Sequence, residues 1–311
     1  MEYIIQTRGL SKAYNGKETI SNVNMKVGKG EIYGFLGPNG AGKTTIMKML
    51  TNLVKPTTGE ILLFNERLTS ASYEVLGRLG SIIEYPIFYE KMTAAQNLEL
   101  HGEYMGYHNK RAIQEALDMV HLRDTGQKPV KEFSLGMKQR LGIARAIMTR
   151  PELLILDEPI NGLDPLGIQE MRQLFRTLSR EYGITLLIST HLLAEIEQIA
   201  DTIGVISDGR LIDEVSMDSI RGQNTEFIEL ITAEPSRAAA ILDHQLRISN
   251  FKVMHDRIIR VYDPSIGQGE IVRALVQQNI EIEAINKKSM SLEEYFLDLI
   301  QRSNNHMKGA S

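Results

Sequence analysis

Gly37-Pro38-Asn39-Gly40-Ala41-Gly42-Lys43-Thr44-Thr45 is the stretch that decides how the rest of the chain is read. An apolar run (Ile32, Tyr33, Phe35, Leu36) leads into it and a helix-like run (Ile46 to Leu50) leaves it, giving the order strand, glycine-rich loop, helix. The glycines let the backbone curl so that successive N–H groups point inward, and the following helix adds the positive end of its dipole. The result is an anion cradle. In a G-x-x-x-x-G-K-T loop the lysine, here Lys43, reaches the β- and γ-phosphates of a nucleotide, and the hydroxyl of Thr44 is a Mg²⁺ ligand.

At 311 residues the chain is long enough for one large or two modest domains. Lys plus Arg (35) nearly balance Asp plus Glu (39), for a net charge of −4, which argues against a dominant nucleic-acid surface. The absence of cysteine excludes disulfides, thiolate metal sites and thiol nucleophiles. Met1-Glu2-Tyr3-Ile4-Ile5 lacks the basic region and apolar run of a secretion signal, and no stretch approaches the roughly 20 apolar residues of a membrane span. The expectation is a cytoplasmic chain that meets any membrane through a partner.

Residues 3 to 36 show apolar alternation interrupted by turns at Asn15-Gly16 and Gly28-Lys29-Gly30, and read as antiparallel strands. Tyr14, in the first turn, suits either adenine stacking or a core position. Beyond the phosphate loop, Ile61 to Phe64 and Ser81 to Glu84 read as short strands, and Tyr85-Pro86-Ile87-Phe88-Tyr89 as an irregular aromatic segment able to dock a partner. Residues 93 to 122 are helical in character, with Ile113, Leu117 and Val120 on one face, and form a lobe inserted between core strands. Ser134 and Gly136 stand at the start of a helix carrying Leu141, Ala144, Ile147 and Met148, either as a simple N-cap or as a second anion site.

Leu153 to Leu156 is a continuous apolar run ending in Asp157 and Glu158, the pattern of a strand covered on both faces. Ligands of parallel sheets lie at the carboxyl ends of strands, so both carboxylates are expected at the phosphates. Asp157 would hold Mg²⁺ and Glu158 would polarise the attacking water. Asn161 to Pro165 is a tight turn suited to carry Asp164 into an interface, ahead of a helix around Gln169 to Arg180. Ile184 to Thr190 is another buried strand, and His191 at its end can hold the γ-phosphate and the water. Leu192 to Ala200 reads as helix, and Ile203 to Arg210 as a closing strand and turn.

Taken together these motifs resemble the ATP-binding cassette (ABC) ATPases over residues 3 to 215. In that likeness Tyr14 is the adenine-stacking aromatic, Gly37 to Thr45 the Walker A loop and Ser134-Leu135-Gly136-Met137-Lys138-Gln139 the signature. Leu153 to Glu158 is Walker B, Asn161 to Asp164 the D-loop and His191 the switch histidine. The resemblance implies an α/β phosphate-loop NTPase core with an antiparallel β subdomain and an inserted helical subdomain at about 88–150. It also implies ATP and Mg²⁺ as cofactors and a head-to-tail dimer in which Ser134, Gly136 and Asp164 of one copy meet ATP on the other. A separate integral membrane permease would be the partner, placing the chain on the inner face of the membrane. Two departures stand out: Leu135 replaces the first signature glycine, and Glu84 stands where a glutamine usually serves Mg²⁺ and the permease. Phe133 to Met137, Glu84 to Tyr89 and Asn161 look most like the bacitracin-resistance and lantibiotic-immunity exporters. That points to an energy-coupling ATPase for export of, or resistance to, a peptide antibiotic.

From 216 to 311 the pattern changes to strand (226–232), helix (236–244), strands (251–254 and 258–262), helix (271–278) and strand (280–285), a small α+β split-βαβ domain. A capping box, Ser291-Leu292-Glu293-Glu294, starts a further helix with Leu292, Tyr295 and Leu299 on one face, and Ser303 to Ser311 is a polar tail. Similar tails on drug-export ATPases imply dimer contact or regulation, against the plainer reading of a stabilising appendage. The competing function is a soluble ABC ATPase acting as a mechanical or ribosome-associated module. A single phosphate loop, no sustained heptads and a balanced charge disfavour it.

Overall fold

The computed structural model describes residues 2–222, 226–254 and 257–289, with Glu294 and Phe296. The chain divides into a larger unit reaching Met217 and a smaller one, Asp218–Asp298. In order, the larger holds β1 (Tyr3–Tyr14), β2 (Lys17–Val23), β3 (Lys26–Gly28), β4 (Ile32–Leu36), α1 (Lys43–Leu50), β5 (Thr58–Leu63), β6 (Glu66–Arg67), α2 (Tyr73–Gly77) and β7 (Leu79–Ile82). Then come α3 (Ala94–Met105), α4 (Lys110–Met119), α5 (Leu135–Ile147), β8 (Leu153–Asp157), α6 (Pro165–Arg180), β9 (Thr185–Thr190), α7 (Leu193–Ile196), β10 (Thr202–Ser207) and β11 (Arg210–Ser216).

Two sheets form this unit. One is antiparallel, β2-β1-β5-β6 with β3 also on β1. The other runs β11-β10-β4-β9-β8-β7, parallel throughout except for β11. Strands β4, β8 and β9 are buried along their whole length, as the apolar runs require of a sheet covered on both faces. Helix α1 ties the two sheets together: Ile46, Met47, Met49 and Leu50 join one core with Ile5, Leu10 and Ile20 on one side and Phe35, Ile155 and Leu187 on the other. Each such burial is worth roughly 1.5–3 kcal/mol, so the loop before α1 is held between fixed ends. No helix among the described residues is long and apolar enough to cross a membrane.

The helical stretch expected at 93–122 is two helices. Thr93 and Gln96 close a reciprocal capping box on α3, which ends on left-handed Gly106. Asn109 then caps α4, its Oδ1 accepting from Ala112 N at 3.1 Å. Helix α6 starts at Pro165 rather than near Gln169, because Asp164 is its N-cap and Pro165 fits the first turn, where no N–H is needed. Helix α7 is a single turn, shorter than the stretch expected over 192–200.

After α8 (Met217–Gly222), the smaller unit consists of β12 (Glu226–Ile231), α9 (Pro235–His244), β13 (Phe251–Val253), β14 (Ile258–Val261), α10 (Gln268–Gln277) and β15 (Ala284–Ser289). Its sheet runs β13-β14-β12-β15 with every pair antiparallel, the pairing that a β-α-β-β-α-β order produces. Ile228, Leu230, Leu242, Ile259, Ile271 and Leu275 form its core. The last strand lies at 284–289, not 280–285. Ile280 is core packing behind α10, whereas β15 is an edge strand whose Lys288 Nζ reaches the buried Glu229 Oε1 at 2.6 Å, so it reads as polar. The capping box at 291–293, Tyr295, Leu299 and the 303–311 tail lie outside the described residues.

Candidate nucleotide-binding site

The carboxyl ends of β4, β8 and β9 lie side by side, with Leu36 opposite Thr190 and Asp157 opposite Ser189. That register gathers the phosphate loop, the two carboxylates and His191 at one edge of the sheet. Two glycines of the loop are sterically required. A Cβ on Gly37 would lie 2.4 Å from the Ile206 carbonyl oxygen, and Gly42 has φ 107° with Ile20 Cδ1 2.4 Å from its Cβ position. Gly37 N donates to Thr190 O, Ala41 N to Pro38 O, and Gly209 N to Ala41 O, which closes the loop against its neighbours.

Lys43 is 5% exposed, and a buried ammonium needs partners. Its Nζ donates to Gly37 O at 2.6 Å and Pro38 O at 3.3 Å, and stands 3.2 Å from Glu158 Oε1. The last contact is an ion pair, and among the described residues Glu158 Oε1 is buried with no hydrogen-bond partner. Asp157, also 5% exposed, accepts from Thr44 Oγ1 on Oδ2 (2.8 Å) and from Ser189 Oγ on Oδ1 (2.6 Å). Glu158 Oε2 lies 3.0 Å from His191 Nδ1; facing an ionised carboxylate that nitrogen is the N–H donor, and among the described residues Nε2 has no hydrogen-bond partner.

The arrangement therefore brings Gly37 through Thr45, Asp157, Glu158 and His191 together. Pro38, Asn39 and Gly40 form the exposed lip of the loop, while Ala41 is buried and Thr45 half-buried. Other expected residues stand apart. Ser134 Oγ caps α5 by accepting from Met137 N (3.2 Å), and Gly136 packs toward Leu163; among the described residues no hydrogen bond or ion pair joins either to 37–45. Asp164 Oδ1 accepts from Gly167 N at 3.0 Å. Tyr14 is 44% exposed, with Lys12 Nζ 5.0 Å from its ring centre, so it is a surface aromatic rather than a core one. Glu84, at φ 63°, accepts from Lys48 Nζ on α1 at 2.6 Å, and among the described residues no hydrogen bond joins it to Thr44.

Sequence reading missed Ser189. Its signal was present: a serine inside a strand buried on both faces must find a hydrogen-bond partner, and it stands two residues before His191.

A family model described as ABC transporter matches residues 20–161. An uncharacterized ABC transporter ATP-binding protein of Bacillus subtilis (strain 168), YcbN, is 65% identical over 96% of this chain and 98% of its own length. The bacitracin transport ATP-binding protein BcrA of Bacillus licheniformis is 45% identical over 96% and 98%. Among solved structures, the dimeric post-hydrolysis state of the ATP-binding cassette MJ0796, bound to ADP and Pi, superposes with a TM-score of 0.62 at 25% identity, covering 68% of this chain and 98% of that one.

Proposed function

Because the chain belongs to the ATP-binding proteins of ABC transporters, we propose that residues 37–45, 157, 158 and 191 form the ATP site of an energy-coupling subunit that works beneath a separate membrane permease. The observation that carries the catalytic part is Glu158 Oε1: a buried carboxylate oxygen with no hydrogen-bond partner among the described residues, 3.2 Å from Lys43, is an acceptor for the proton of an attacking water. The N–H groups of the loop hold phosphate oxygens, and Lys43 adds charge at the β- and γ-phosphates. His191 holds the other oxygen of Glu158 and keeps its carboxylate in place.

Thr44 and Asp157, two hard oxygen donors 2.8 Å apart, fit Mg²⁺, which takes one or two protein oxygens and completes its shell with phosphate and water. When bound there it neutralises charge on the transferred phosphate. Tyr14, being exposed, is available to an adenine ring.

The similar cassette MJ0796 is dimeric in its post-hydrolysis state, and the position of Ser134, Gly136 and Asp164 away from their own chain's loop supports a head-to-tail pair in which these residues face the second copy's ATP. Residues 1–215 form the ATPase domain in this reading and 216–311 an accessory domain. The exposure of Tyr85, Ile87 and Tyr89, at 71%, 83% and 55%, supports a docking role for that loop on a permease at the inner face of the membrane. The likeness to a bacitracin transport protein supports a peptide antibiotic as the transported or resisted compound.

Glu158→Gln tests the reading. It keeps size and hydrogen-bonding reach but cannot take a proton, so ATP hydrolysis falls by about 10²-fold or more while ATP binding persists and an ATP-bound dimer accumulates on a sizing column. Near-normal turnover in that variant removes Glu158 from the chemistry.

A further inference from the structure

Asp157 and Glu158 are consecutive, and in a regular strand consecutive side chains point to opposite faces. Here both reach the phosphate loop, Asp157 through Thr44 and Glu158 through Lys43. The backbone achieves this by turning Glu158 to φ 47°, a left-handed conformation that a residue with a Cβ adopts only when its surroundings hold it there.

Asn161 N donates to the Glu158 carbonyl at 3.1 Å and His191 meets its carboxylate, and one further hydroxyl bonds both residues of the kink. Ser189, 0% exposed and paired in register with Asp157 across β8 and β9, donates to Asp157 Oδ1 at 2.6 Å and accepts from the Glu158 backbone N–H at 2.9 Å. The same oxygen thus grips both sides of the kinked peptide. We propose that Ser189 is a positioning residue for ATP hydrolysis, fixing the Asp157–Glu158 kink so that both carboxylates converge on the phosphate loop. A serine at this place does what an alanine or valine of similar packing cannot: it supplies a donor for the carboxylate and an acceptor for the amide at once. The inference rests on the reading of Glu158 as the residue that receives the water's proton.

The test compares Ser189→Ala with the isosteric pair Ser189→Thr and Ser189→Val, which share a volume and differ in the hydroxyl. Steady-state ATPase kinetics are normalised to folded protein by the stoichiometry of ADP binding in calorimetry, which also gives ADP affinity without turnover. Displacement of a reacting group by about 1 Å costs on the order of 100-fold, so Ser189→Ala and Ser189→Val lose about 10- to 100-fold in kcat, with KM for ATP and ADP affinity changed by less than about threefold. Ser189→Thr restores kcat to within about threefold of the parent.

Equal kcat for the Thr and Val variants, or a loss in which KM and ADP affinity move as much as kcat, overturns the proposal and makes Ser189 a satisfied core serine. Should the extra methyl prevent both larger variants from folding, Ser189→Ala decides alone, since it needs no added space: unchanged kcat per folded molecule overturns the proposal. Glu158→Gln in the same assay separates the two levels. Full turnover there removes the underlying reading, whereas an inactive Glu158→Gln beside a fully active Ser189→Ala removes only the role of Ser189.

Discussion

Replacing Glu84 by glutamine, alone and with Lys48→Met, measures what the carboxylate at 84 is for. Its oxygen lies 2.6 Å from Lys48 Nζ, with side chains 59% and 31% exposed. At that distance two unit charges attract by about 1.6 kcal/mol in bulk water. Ordering two half-exposed side chains and salt screening take back much of it, leaving a coupling energy of roughly 0.2–1 kcal/mol. A double-mutant cycle by urea denaturation should return a value in that range at low salt. It should shrink toward zero in 1 M NaCl, where the screening length is about 3 Å. ATPase activity at saturating ATP should stay within about threefold in both single variants, because among the described residues neither side chain hydrogen-bonds or ion-pairs with Thr44 or Asp157. The opposing possibility is that Glu84 serves Mg²⁺. In that case Glu84→Gln raises the Mg²⁺ concentration needed for half-maximal hydrolysis by about tenfold while Lys48→Met does not, and that pattern would refute the ion-pair reasoning.

Ser134→Ala removes an N-cap, so stability falls by about 0.5–2 kcal/mol, and ADP binding to the monomer is unchanged. Hydrolysis falls by about 10- to 100-fold if that hydroxyl meets a phosphate of the second copy's ATP, since a hydrogen bond to a charged group is worth ~1.5–3 kcal/mol; an ADP-binding loss of the same size would return Ser134 to its own chain's fold. Glu31 carries a separate pH signature. Burial, partly offset by the Gly28 N–H and the Thr202 hydroxyl, holds its carboxyl above the usual range. Its contribution to stability is thus present at acid pH and lost as pH rises through the raised value. Glu31→Gln, whose amide can accept from Gly28 N and donate to Thr202 Oγ1, should unfold at higher denaturant than the parent at pH 7–8, with the gap closing as pH falls into the ordinary carboxylate range. A gap independent of pH assigns the effect to packing.

These tests follow the line between what residue order carries and what it does not. The phosphate loop was legible because its chemistry is local: nine consecutive residues set the curl, the lysine and the hydroxyl. Asp157, Glu158 and His191 were legible as strand ends, because an apolar run that stops at a polar residue marks the edge where parallel sheets bind ligands. The role of Ser189 was not, for it depends on β9 lying beside β8 in one register, and a slip of one residue would turn its hydroxyl to the other face. Lys48 was missed for the same kind of reason: its partner Glu84 is 36 residues away. Strand β15 was misplaced because Ile280 and Ile282 mimic an apolar strand while the true edge strand spends Lys288 on a buried carboxylate.

The kink at Glu158 belongs to the unreadable class and matters most. Side-chain alternation along β8 would send the two carboxylates apart, and the motif alone is silent on how they meet. The sheet resolves this by placing a hydroxyl on the neighbouring strand that bonds one side chain and the next residue's amide together. A local motif thus has its two carboxylates brought to one loop with the help of a contact set by a non-local register.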